Sequence, residues 1–141
     1  MATYNKFNQT IDDIMNGVHD FQSDTFRIAL CAAANAPVAT NAVKADLTEI
    51  AYTNVSGGAN PTLTTSTASE TSGTWTQLFA DLVITASGGA VAAFRYVVIY
   101  NDTPTSPADP LVCYYDYGSN LTLADGETLT LDFTGSTFTA S

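Results

Sequence analysis

The run Ala92–Asn101, Ala-Ala-Phe-Arg-Tyr-Val-Val-Ile-Tyr-Asn, places aromatic and β-branched side chains almost without interruption between Gly88-Gly89 and Asn101-Asp102. Such density predicts a buried central strand, because these side chains fill a pleated surface and have little place in a solvated loop. A second run, Leu111-Val112-Cys113-Tyr114-Tyr115-Asp116-Tyr117, follows a loop that carries Pro104, Pro107 and Pro110. The two are expected to pair as the middle of a sheet. Arg95 is a lone cation within the first run and is costly to bury unpaired, so it should reach the sheet surface or a carboxylate, with Asp116 as a candidate partner.

At 141 residues the chain fits a single domain, residues 1–141, which at this length buries roughly 70% of its unfolded surface and needs no staples. Charged residues are only 13% of the chain, against the ~25% of ordinary soluble domains, so hydroxyl and amide groups must supply much of the polar surface. Fourteen Asp/Glu against four Lys/Arg give a net charge of −10. Direct nucleic-acid binding needs phosphate-neutralising cations and is not expected. The acidity fits halophilic solvation, self-repulsion that favours solubility, or a basic partner, and the sequence leaves these open.

Cys31 and Cys113 each lie in an apolar strand-like run without CxxC spacing and are expected as buried thiols, with a disulfide possible only if their strands adjoin. No apolar run approaches the ~18 residues of a membrane span, and Met1 is followed by no apolar leader, so synthesis in the cytoplasm and no membrane partner are expected.

In chain order, Phe7, Ile11, Ile14, Met15 and Val18 recur at helical spacing and predict one short helix, about residues 8–17. Asn8 or Thr10 would cap it, Asp12 and Asp13 would form a solvated pair complementing the helix dipole, and Gly17 would end it. Thr25–Cys31 alternates as a strand with Arg27 on its outer face. Residues 32–45 read as a surface connection, with a short strand or turn to follow at 46–52. The Gly-, Ser- and Thr-rich stretch of about 53–73 reads as a flexible loop; it has no phosphate-binding GxxxxGK[ST] pattern. Strands are expected at Trp75–Phe79 and Leu82–Thr85. Leu121–Leu123 and Thr128–Phe133, joined through Asp125-Gly126, should form a hairpin. One helix followed by seven or eight short strands predicts a mainly-β fold, an antiparallel β-sandwich of jelly-roll or immunoglobulin-like type.

No catalytic, cofactor-binding or metal-binding constellation emerges. His19, with Asp20 and Asp24 nearby, is the sole histidine and has no activated nucleophile in view, so a structural or exposed role is expected. Asp102, Asp109, Asp116 and Asp125 fall at turn positions that favour acidic residues. Trp75 is expected in the core or an interface; a sugar-stacking role would require aromatic neighbours. Tyr96, Tyr100, Tyr114, Tyr115 and Tyr117 divide between two faces, since adjacent Tyr114 and Tyr115 must point oppositely. Enzymatic activity is not expected.

The opening Tyr4-Asn5-Lys6-Phe7-Asn8-Gln9-Thr10-Ile11-Asp12-Asp13-Ile14-Met15-Asn16-Gly17-Val18-His19-Asp20-Phe21 and the following Ser23–Leu30 resemble the start of a group of small virion proteins of tailed bacteriophages. Phe94–Thr103 and Asp116–Phe133 are similar to the same group's second half, in the same order, while 53–73 departs from its Gly-Tyr-rich turn. The resemblance implies a structural protein of the virion, a capsid cement or decoration protein that lies on the outside of the shell. It further implies a homotrimer whose partner is the major capsid protein, and no catalytic residue. The competing expectation is a tail, fibre or host-adsorption component that binds surface glycan.

Overall fold

In the computed structural model, which describes residues 2–135 and 137–140, the two dense runs become β6 (Val91–Asn101) and β7 (Leu111–Leu123). They pair antiparallel, with Val98 opposite Tyr114 and Ile99 opposite Cys113, at the centre of a four-stranded sheet. β1 (Thr3–Lys6) flanks β7, and β2 (Phe26–Cys31) flanks β6, giving the order β1-β7-β6-β2. Against this sheet lie β3 (Thr65–Thr71), β4 (Thr74–Phe79) and β9 (Phe138–Ala140), in the order β3-β4-β9, and the pair β5 (Leu82–Thr85) with β8 (Thr128–Leu131). All pairings are antiparallel. The main core joins Phe26, Ile28, Phe94, Val97 and Ile99 of the central sheet to Phe79, Ile84, Leu131 and Phe133 of the opposing layer. The chain is thus the mainly-β, sandwich-like fold with one short helix that its strand pattern predicts.

The central sheet is buried on its outer face as well. Phe7, Ala29, Cys31, Tyr96, Val98, Tyr100 and Leu111 form a second apolar cluster there, with Leu47 packed against it. This explains why β2 is buried at Ala29, where alternation predicts an outward position, and Cys31 is buried there as expected. The 32–45 connection is anchored to the sheet, not merely laid over the surface: Val43 bridges Pro110, and the Leu111 amide donates to the Ala42 carbonyl. The connection carries 3-10 turns at Ala33–Asn35 and Lys44–Asp46, and the 46–52 stretch, expected as a short strand or turn, forms only an isolated bridge from Glu49 to Cys31.

Three expectations are corrected. Helix α1 runs Gln9–Met15, and its buried positions are Thr10 and Asp13, whereas Ile11 is 50% and Met15 79% exposed. Asn8 occupies the N-cap without a side-chain bond, and Thr10 makes none to the helix. Its hydroxyl donates instead to the Val112 carbonyl at 2.8 Å, tying the helix to β7. Gly17 does adopt a positive φ, of 70°, just past the C-cap.

Secondly, the 53–73 segment is not a loop throughout. Val55 and Leu63 are buried, and Thr65–Thr71 is β3, turning through Ser72-Gly73 into β4 with φ positive at both residues. Its Thr and Ser side chains suit a half-exposed strand as well as a loop.

Thirdly, the Asp125-Gly126 turn forms with Gly126 at φ 83°, but its arms do not pair with one another. The end of β7 stays on β6, with Leu123 opposite Val91, while β8 crosses to β5, with Leu131 opposite Leu82. Local turn chemistry is therefore used here to carry the chain between layers.

Candidate functional site

His19 lies where α1, the 18–25 connection and the end of β6 meet, with no exposed side-chain surface. Asn101, also buried, donates its amide to Asp24 at 2.6 Å and lies 3.2 Å from His19 Nδ1. Asp13 Oδ2 stands 4.0 Å from His19 Nε2. Burial lowers the His19 pKa below its ordinary value, opposed by the carboxylates of Asp13 and Asp24. A histidine beside two carboxylates has the composition of a general base, but no substrate can reach a side chain with zero exposure. The group is a structural joint. Asp13, expected as half of a solvated pair with Asp12, is only 4% exposed and belongs to this joint, while Asp12 remains at the surface. Asp20 caps its own turn, accepting from the Gln22 amide and the Ser23 hydroxyl.

Three of the four cations close on carboxylates within the chain. Arg95 meets Asp116 through two bonds, Nε to Oδ1 at 2.7 Å and Nη2 to Oδ2 at 2.9 Å, the pairing its position on β6 anticipates. This contact, with the Gly118 amide, holds the Asp116 carboxyl below its usual range. Arg27 meets Asp102 at 2.8 Å, and Lys44 lies 3.5 Å from Glu49. Glu49 belongs to a part-buried network that seals the free edge of β2: Asn60 donates to Glu49 and the Ile28 carbonyl, Lys44 donates to Asn60 Oδ1, and the Leu30 amide donates to the Tyr52 hydroxyl. The composition of 53–73 gave no sign of this network. Its one available signal is that Asn is the residue type, after glycine, that best tolerates the positive φ found at Asn60.

The remaining candidates scatter. Cys31 and Cys113 are free and buried on opposite faces of the central sheet, in different core clusters, with β6 between their strands. Burial, assisted by Glu49, pushes the Cys31 thiol up to about 12. Trp75 is half-buried against the main core. Tyr96, Tyr100 and Tyr114 face the outer cluster, and Tyr115 and Tyr117 the inner one, which rules out a single tyrosine platform. Asp102 is spent on Arg27, and Asp125 accepts from the Gly88 amide. Among the described residues no group of three or more His, Cys, Asp or Glu is placed to hold a metal, and no helix is long and apolar enough to cross a membrane.

Two concavities stand out among the described residues. A cleft of about 530 Å³ opens between β7 and the segment after β8, with Val97 and Leu131 at its apolar floor and Tyr115, Tyr117 and Asp132 among its lining. A shallower groove of about 460 Å³ lies between β1 and β9, lined by Tyr4, Lys6, Ile11, Tyr115 and Phe138.

No family model matches the chain, and neither a curated protein nor a solved structure matches it significantly.

Proposed function

We propose that this chain is a bacteriophage capsid cement protein, acting as a homotrimer that binds the outer surface of the shell and bridges major capsid subunits. The layout of charge is the observation that carries this reading beyond the sequence resemblance. Arg27, Lys44 and Arg95 are consumed by internal pairs, leaving Asp12, Asp20, Glu70, Asp81, Asp125, Glu127 and Asp132 exposed on a rigid scaffold. A predominantly acidic surface on a sandwich with a doubly covered central sheet suits docking against a basic protein surface. Purified chain added to shells assembled without it should bind at low salt and lose at least about tenfold in affinity towards molar salt, where exposed charges are screened. Failure to bind at any salt would overturn the role.

The second reading is a host-adsorption component that binds surface glycan. The cleft beside Tyr115 and Tyr117 favours it, since an apolar floor with a carboxylate and hydroxyls at the rim suits a neutral sugar ring. Binding in a glycan array by the isolated chain, lost on Tyr117→Ala, would select it.

A further inference from the structure

Among the described residues, three of the five exposed large apolar side chains lie on β1 and α1, while Val38 and Val83 stand apart. Tyr4 is 42%, Ile11 50% and Met15 79% exposed, and Ile11 and Met15, four residues apart, stand on one face of the helix. Tyr4 and Ile11 also line the groove that runs to Phe138 on β9. β1 and β9 are each the last strand of their sheet, so two open edges flank this groove. The other end of the central sheet is closed, because segments 49–50 and 60–63 hydrogen-bond along β2. The helix departs from its sequence pattern: its buried positions are Thr10 and Asp13, Ile14 packs against the main core, and Ile11 and Met15 face solvent. Helices that turn such residues outward mark contact surfaces.

Charge identifies the occupant. Lys6 is exposed on β1 within this groove and is the one cation that forms no salt bridge among the described residues. Asp12 is exposed on α1 beside Ile11. Two copies, each carrying −10, repel wherever their carboxylate-rich faces meet, and among the described residues only Lys6 offers an unspent positive charge to a neighbour. A basic partner would prefer the acidic faces and be repelled by Lys6. Lysine on an edge strand also opposes strand-to-strand pairing, so the contact is made by side chains.

We infer that the Tyr4–Lys6–Ile11–Met15 surface is the self-association surface of this protein, covered by a second copy of the chain with Lys6 of one copy set against Asp12 of the next. The inference rests on the cement reading only in that it locates the self-contact a homo-oligomeric cement needs, and it is read on the isolated chain.

The test is sedimentation of the full chain at concentrations up to about 200 µM, where the mass of an associating protein departs from that of its monomer. The expected mass is a multiple of 14.8 kDa. Ile11→Asp combined with Met15→Asp should weaken association by at least about tenfold, as loss of central apolar anchors does, with an unchanged circular dichroism spectrum because both side chains are exposed. Lys6→Glu and Asp12→Lys should each weaken association and together restore it. A 14.8 kDa monomer throughout, an oligomer indifferent to the double aspartate variant, or a charge swap that fails to restore would each overturn the assignment. Shell binding separates the two ideas. An oligomer that leaves shells bare defeats the cement role and spares this surface, whereas a monomer that decorates shells defeats this surface and the homotrimer and spares shell binding.

Discussion

His19 is neutral in the fold because burial holds its pKa below the ordinary 6.5, with Asp13 and Asp24 offsetting part of that shift. The unfolded chain therefore binds a proton near pH 6.5 that the folded chain takes up only at lower pH. Stability from this joint is complete above pH 6.5 and declines as pH falls below it. The melting temperature should drop between about pH 6.5 and pH 5, and His19→Gln should flatten that segment of the profile; equal slopes in the two proteins would contradict the assignment. Carboxylates held low, such as Asp116, act only in a more acidic window. Asn60 is the second residue on which much depends, since it ties Glu49, Lys44 and the Ile28 carbonyl to the outer edge of β2. Asn60→Ala should cost about 1–3 kcal/mol by stranding part-buried partners; chemical denaturation that shows no loss would mean water replaces it freely. The Arg95–Asp116 pair was legible in the sequence because a cation inside an apolar strand has few alternatives. The Asn60 network was not, because its members are close only after the 44–63 segment folds back along β2.

At the scale of elements, strands dense in β-branched and aromatic residues declared themselves: β2, β4, β5 and β6 lie where their composition puts them, and β7 does so over Leu111–Tyr117 but continues to Leu123, taking in the stretch expected as a separate hairpin arm. Helix α1 was found but its orientation was misread. Periodicity counts apolar residues and cannot weigh a buried Thr10 hydroxyl bonded to β7, or an Asp13 carboxylate beside a histidine. Thr10→Val keeps the shape and removes the bond to the Val112 carbonyl, and it should lower stability by about 1 kcal/mol, or roughly 3 °C in melting temperature. An unchanged transition would show that packing alone seats the helix. The Asp125-Gly126 turn was equally legible as a turn, yet which strands its arms would join depends on long-range partners, Val91 for one arm and Leu82 for the other.

For the whole molecule, the sandwich follows from the count and spacing of strands, while the covering of both faces of the central sheet does not. That covering uses Phe7, Leu47 and the 32–45 connection, whose small, weakly patterned residues give no strand or helix signal. The proposed function rests on a resemblance, because a contact surface has no motif comparable to a catalytic one. The layout of charge is consistent with it: among the described residues, three internal ion pairs leave a mostly acidic exterior, with Lys6 unpaired beside exposed Ile11. The most direct test of the cement role is the copy number of this chain in purified virions, measured against the major capsid protein. A protein repeated over a symmetric shell should be present on the order of hundreds of copies per particle, whereas a handful would contradict a capsid role and point to the tail.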